Sequence, residues 1–354
     1  HALMATVPGA AALWADAVRA WGSGALSLAE VLEPARELAT GGFPVSRITA
    51  RLWAQGERVL KPHVGRGSEA LLVQDPTAPC GWRAPREGEL FRNPGMADVL
   101  ERLGGRGAAE GFYSGPVAEA LAAAVVEAGG VLTLQDLAGH RTLFPEPVST
   151  SYRGVEVWEV PPPTHGVAAL VALNALEALL PATEAGGGAM SALGAGVWHR
   201  RIEAMRLGFA DALDHVADPA FVDVPTEELL SKRRARARAA STFDPERAAP
   251  GLTSDATLRD RGDTVYFCAV DEEGNGCSMI NSNYMGFGTG LAPPGLGFTV
   301  QNRAHNFNLE PGHPNCLEPG KRPYHTIIPG LATRGAADGG GLDRKSTRLN
   351  SSHL

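Results

Sequence analysis

Cysteine is scarce in this chain. Its four residues among 354, Cys80, Cys268, Cys277 and Cys316, show no CxxC spacing and fall far below the density of a disulfide scaffold. The ten histidines form no HExxH or CxxC…HxxxH set, so neither a metal nor another cofactor is expected. A surplus of positive charge is also missing. The net charge of −7 argues against a general nucleic-acid or membrane-surface binder. One basic cluster stands out locally, Lys232, Arg233, Arg234, Arg236 and Arg238 in KRRARARAA, and its alanine-rich setting reads as the solvated face of a helix. No apolar run approaches the roughly 18 residues of a membrane span. No signal peptide is visible either. The chain opens on His1 and soon turns helical, so the native start is expected upstream, and the compartment stays open between cytoplasmic and periplasmic or secreted.

What is present is a globular composition, 44% hydrophobic and 20% charged, with enough length for a substantial core. The first two thirds read as mostly helical. In AAALWADAVRAWG, Leu13, Ala17, Val18 and Trp21 recur at helical spacing, and Gly22 stops the run. Ser27 and Glu30 have the form of a capping box that opens a helix through Leu38, with Gly41 and Gly42 behind it. Another helix is predicted over Pro116 to Ala128. In VWHRRIEAMRLGFADALDHV, the stripe Trp198, Ile202, Met205, Phe209, Leu213 and Val216 predicts a long helix facing the core. After about residue 262 strands, turns and Gly/Pro punctuation take over. From about residue 343 the composition changes again, in DRKSTRLNSSHL, which reads as a read-through or expression remnant outside the fold.

The segment TVYFCAVDEEGNGCSMINSN holds the most chemistry. TVYFCAV is apolar on both faces, which predicts a strand buried on both sides, with Cys268 and the facing Cys277 as buried thiols. DEEGNG supplies the turn. With Asp271 to Asn275 as the loop, Val270 faces Gly276, and the same register carries Thr264 opposite Ser282. A hydroxyl needs a base to become a good nucleophile. Cutting the Asp263–Thr264 bond would give Thr264 its own base, an α-amine with a reference pKa of about 7.7 to 8.0. On the residues alone, Thr264 as the first residue of an ordinary strand remains the plainer reading.

Longer motifs tip that balance. GDTVYFCAVDEEGNG, NYMGFGTGLAPPGLGF, QNRAHNFNLEPGHPN and PGKRPYHTIIPG occur in this order. They follow VPGAAALW, ELATGGFPVS, GFYSGPVAEAL, GGVLTLQDLAGHR, SYRGVEVWEVPPPTHG and DPAFVDVP. The set resembles the gamma-glutamyltransferase family of self-cleaving N-terminal-nucleophile hydrolases from about residue 3 to 332, and looks closer to its acylase-like branch. The resemblance implies an α+β fold, the four-layer αββα sandwich, here incomplete at both ends. It implies large and small subunits cut from one precursor: residues 1–263 as a mostly helical large-subunit portion, 264–342 as the strand-rich start of the small subunit, and 343–354 as a non-native tail. Thr264 then matches the nucleophile, Asp263–Thr264 the bond that is cut, and Ser282 a supporting hydroxyl that is usually Thr in the family.

Departures from the family accompany the match. Where glutathione-type members hold the α-amine and α-carboxylate of a γ-glutamyl group, this chain has Tyr284, Asn306 and the pair His325 and Thr326. The resemblance implies a small-molecule donor that is a γ-glutamyl or related acyl amide, and loss of the acidic partner removes the counter-charge for a substrate ammonium, which makes a donor other than a free γ-glutamyl group plausible. Arg303 is the candidate anion partner because its planar fork suits a carboxylate. Each of these residues also has an ordinary alternative: Tyr284 in packing, Arg303 in an ion pair, His305 in a loop. The sequence stops before the Gly-Gly stretch that forms the family's oxyanion hole, so an internal fragment is expected, catalytically inactive and poorly soluble through uncovered sheet edges. A non-catalytic, uncleaved binding or structural protein is the alternative function. GFGTG lacks the GK[ST] of a phosphate loop and reads as a turn.

Overall fold

A computed structural model describes residues 1–180, 194–252, 264–334 and 349–350. The protein is α+β, and it divides into two compact units, residues 1–144 with 282–305 and residues 145–281 with 306–354.

The first unit is built on helices. α1 (Ala10–Trp21) ends at Gly22, and α2 (Leu28–Gly41) opens on the full Ser27/Glu30 capping box, both as the sequence predicts. α3 (Arg47–Leu60), α4 (Pro94–Gly111), α5 (Gly115–Glu127) and α6 (Leu134–Ala138) follow. Two short antiparallel pairs, β1 (Phe43–Pro44) with β4 (Leu90–Phe91) and β2 (Val73–Gln74) with β3 (Trp82–Arg83), join them. One core gathers Leu103, Val117, Leu121, Val125 and Leu137 with Leu291 and Val300. A second is centred on Trp53, whose ring packs edge-on to Phe91 at 4.7 Å and whose Nε1 donates to the Leu71 carbonyl at 2.8 Å. Leu291, Ala292, Leu296 and Val300 anchor the segment 282–305 in these cores, so a loop without regular structure is fixed by apolar burial.

The second unit has an antiparallel sheet in the order β10-β9-β6-β5, from β5 (Val148–Tyr152), β6 (Val155–Glu159), β9 (Leu331–Arg334) and β10 (Leu349–Asn350). α7 (Gly166–Leu179) is apolar almost all round and is accordingly covered on two sides. Leu170 and Leu173 meet Val157 of the sheet, while Ala168 and Val171 meet Ala212 of α8 (Ala195–His215). Gly208 permits that helix contact: a Cβ there would lie 2.2 Å from the Ala168 carbonyl oxygen. A separate two-stranded sheet pairs β7 (Val265–Val270) with β8 (Gly276–Asn281).

Four expectations are corrected. The β7 strand is not buried on both sides. Val265, Phe267 and Val270 are 67%, 45% and 47% exposed, because β7 pairs only with β8. Cys268 and Cys277 are exposed for the same reason. On α8 the predicted stripe does not face the core at its start: Trp198 and Ile202 are 48% and 54% exposed, and the buried face runs through Ala204, Leu207 and Ala212. The basic helix α9 (Lys232–Thr242) is also more than a solvated face. Arg233 and Arg236 are exposed, but Arg234 and Arg238 reach the buried Asp211 of α8 at 2.6 and 3.0 Å, and Lys232 reaches Glu177 of α7 at 2.6 Å. Asp211→Asn should therefore lower the unfolding free energy by about 2 kcal/mol, read by urea denaturation, because two buried guanidinium contacts lose their counter-charge. Unchanged stability would assign those pairs no net value.

Candidate active site

The β7–β8 ladder runs from Val265 opposite Asn281 to Val270 opposite Gly276, the register predicted from the turn. Asp271 holds that turn by accepting from the Glu273 and Asn275 amides at 3.0 and 2.7 Å. Thr264 is exposed immediately before the first paired residue, and Ser282 follows the last. Asp263 lies outside the described residues.

In the first unit, Ser282, Tyr284 and Arg303 come together. Ser282 Oγ accepts from the Tyr284 amide at 2.8 Å, and its carbonyl accepts from Arg303 Nη2 at 3.4 Å. Tyr284 is buried, with a backbone φ of +73°, a conformation that costs a non-glycine residue on the order of 1 kcal/mol or more. Its ring lies 5.1 Å from the Arg303 guanidinium and 5.7 Å from the His305 ring. Arg303 is 3% exposed, and burial brings its pKa down to about 10, still cationic at neutral pH. A buried cation on an aromatic face can receive an anion with little loss of hydration.

In the second unit, Asn306 and His325 converge on Tyr324. Asn306 Nδ2 donates to the Tyr324 carbonyl at 3.0 Å, so its amide is committed to the backbone. The His325 amide donates to the Pro163 carbonyl at 2.8 Å, and its own carbonyl accepts from the His165 amide at 2.9 Å. His165 Nδ1 and the Tyr324 hydroxyl form a 3.0 Å hydrogen bond. Thr326, next in the chain, is half-buried. His165, Tyr324, Asn315 and Asp218 were not singled out as site residues in the sequence, although all four lie within the quoted motifs SYRGVEVWEVPPPTHG, PGKRPYHTIIPG, QNRAHNFNLEPGHPN and DPAFVDVP. Among the described residues, no group of three or more His, Cys, Asp or Glu is arranged to hold a metal ion, and no helix is long and apolar enough to cross a membrane.

Glu159, the last residue of β6, is a second feature the sequence did not reveal. It is 4% exposed, and its Oε2 finds no hydrogen-bond partner among the described residues. It occupies the space that a side chain at Gly166 would need, 2.7 Å from that missing Cβ. Loss of hydration pushes its pKa up from 4.5 to about 8. The folded protein thus keeps a proton that the unfolded chain releases. Stability from this group is fully present below about pH 4.5 and is lost as pH rises to about 8. Relative to Glu159→Gln, the wild type should lose up to roughly 5 kcal/mol across that window, measured by denaturation at stepped pH. A difference that does not vary with pH would contradict a buried, proton-holding carboxyl.

A profile of the family described as Gamma-glutamyltranspeptidase matches residues 1–340. The chain belongs to the gamma-glutamyltranspeptidase family. It is 34% identical over 334 residues to the Glutathione hydrolase-like YwrD proenzyme of Bacillus subtilis (strain 168), covering 93% of this chain and 58% of that protein. It is likewise 34% identical over 330 residues to the Oxamate amidohydrolase proenzyme of Klebsiella pneumoniae, covering 92% and 58%. Among solved structures, cephalosporin acylase from Bacillus halodurans superposes with a TM-score of 0.78 at 38% identity, covering 94% of this chain and 58% of that one. The chain thus spans a little over half the length of these gamma-glutamyltranspeptidase relatives.

Proposed function

We propose that the protein is a self-processing N-terminal-threonine amidohydrolase or acyltransferase acting on γ-glutamyl or related acyl amides. The observation that carries this reading is the β7–β8 register, which leaves Thr264 exposed at the head of a strand fixed by six consecutive pairs. The names of the relatives, two of them proenzymes and one an acylase, support it. In this reading the precursor divides into 1–263 and 264–342, within a four-layer αββα sandwich.

The chemistry follows from one hydroxyl. Thr264 Oγ attacks the Asp263 carbonyl, the amide C–N bond breaks, and an ester forms. Water hydrolyses the ester, leaving Asp263 with a carboxylate and Thr264 with a free α-amine. That amine takes the hydroxyl proton as Oγ attacks an acyl amide. The amine leaving group departs, and water or another amine resolves the acyl-enzyme. Ser282 is the supporting hydroxyl, and Tyr284, Arg303, Asn306, His325 and Thr326 are the candidate donor-binding residues.

Specificity provides the test. The Asn306 amide hydrogen-bonds to backbone, Arg303 brings a cation, and no acidic residue stands among the donor-binding candidates. A glutaryl p-nitroanilide, which keeps a terminal carboxylate but lacks the α-amine, should be hydrolysed by the full-length gene product at least as well as the γ-glutamyl compound, compared as kcat/KM. A built-in polar contact to the amine would reject the compound lacking it by on the order of 10⁴, so a strong γ-glutamyl preference overturns this donor assignment.

A further inference from the structure

The segment Arg322–His325 carries no helix and only a single bridge, between Thr164 and His325, yet each of its backbone amides has a partner. A buried irregular chain must find partners for its amides outside a ladder. Asp218 accepts the Arg322 amide at 2.9 Å, Asn315 Oδ1 accepts the Tyr324 amide at 2.9 Å, and the Pro163 carbonyl accepts that of His325. Pro323 has no amide hydrogen to place. Asn306 Nδ2 donates to the Tyr324 carbonyl, and Asn315 Nδ2 closes a ring by donating to the Asn306 carbonyl at 2.7 Å. Asp218 also takes Arg322 Nε at 3.1 Å and Nη2 at 2.5 Å, and the Ala220 amide at 3.1 Å. Asp218 and Asn315 are 1% and 5% exposed, so neither can itself be an open binding surface.

We infer that Asp218 and Asn315 are positioning residues that replace a strand partner for the segment carrying His325 and Thr326, and thereby set donor affinity. The inference rests on the proposed function, in which those two side chains face the donor. Burial alone would raise the Asp218 pKa, but the hydrogen bonds from Arg322 and Ala220 outweigh it and keep the carboxylate ionised. Both oxygens are engaged, so an uncharged amide at this position loses the Arg322 fork while keeping the shape.

The experiment uses the full-length gene product and whichever of the glutaryl and γ-glutamyl p-nitroanilides the wild type hydrolyses faster. Asp218→Asn and Asn315→Ala should still cut before Thr264. Each should raise KM by about 10- to 100-fold with kcat changed less than about threefold, the pattern of lost binding shared by ground and transition states. Arg322→Lys, a milder change at a half-exposed side chain that keeps its charge, should raise KM by a smaller factor and serves if Asp218→Asn fails to fold. Processed, active variants with wild-type KM would overturn the inference, as would a fall in kcat at constant KM. A wild type that neither cuts at Thr264 nor turns over either amide would instead overturn the proposed function.

Discussion

Thr264→Ala should abolish both chain cleavage and amide turnover. In the proposed mechanism the substitution removes the atom that attacks in both steps, so the expected loss is one of mechanism rather than of affinity. Because Thr264 is exposed and lies just outside the β7–β8 ladder, the alanine variant should fold with wild-type stability, which separates chemistry from folding. Thr264→Ser keeps an oxygen on Cβ and should retain part of each activity. Ser282→Ala should slow both by roughly 10- to 100-fold, the effect of a supporting hydrogen bond worth about 1.5 to 3 kcal/mol. Intact mass and N-terminal sequencing of the processed protein decide the assignment: a new N-terminus other than Thr264, or full activity from an uncut chain, would sink it.

The position of Thr264 was legible because a turn and a ladder are local. DEEGNG fixes the loop length, and pairing then follows residue by residue to Val265 and Asn281. The Ser27/Glu30 box and the stop at Gly22 were legible for the same reason. Burial was less so, since it depends on which elements arrive from elsewhere. TVYFCAV is apolar enough for two covered faces, but the covering layer is not written in those seven residues. KRRARARAA does not reveal that Arg234 and Arg238 find Asp211, more than 20 residues upstream on another helix. The ties to Arg322 and Tyr324 come from 104 and nine residues away. The family resemblance supplied the order of motifs, whereas the hydrogen bonds that join them required coordinates.

Gly290 offers a large expected loss of stability, and Gly295 supplies its control. Both have a backbone φ of +78°, so an alanine at either pays the same left-handed strain of about 1 to 2 kcal/mol. Their surroundings differ. A Cβ at Gly295 would meet nothing within 4 Å, whereas one at Gly290 would lie 2.1 Å from the Val59 carbonyl oxygen and 2.8 Å from its carbon, inside α3. Helix backbone cannot rotate away as a flexible side chain can, so either α3 or the loop must shift. That loop is the segment 282–305, pinned by Leu291 and Val300 in the core and bearing Tyr284 and Arg303. Gly290→Ala should accordingly cost about 4 kcal/mol or more, and Gly295→Ala only about 1 to 2 kcal/mol, by chemical denaturation. If the donor cluster on this loop is correctly assigned, Gly290→Ala protein that still folds at low temperature should also show a raised KM, while Gly295→Ala should not. Equal costs for the two substitutions would mean that backbone strain alone, and not the close approach to Val59, makes glycine necessary in GFGTG.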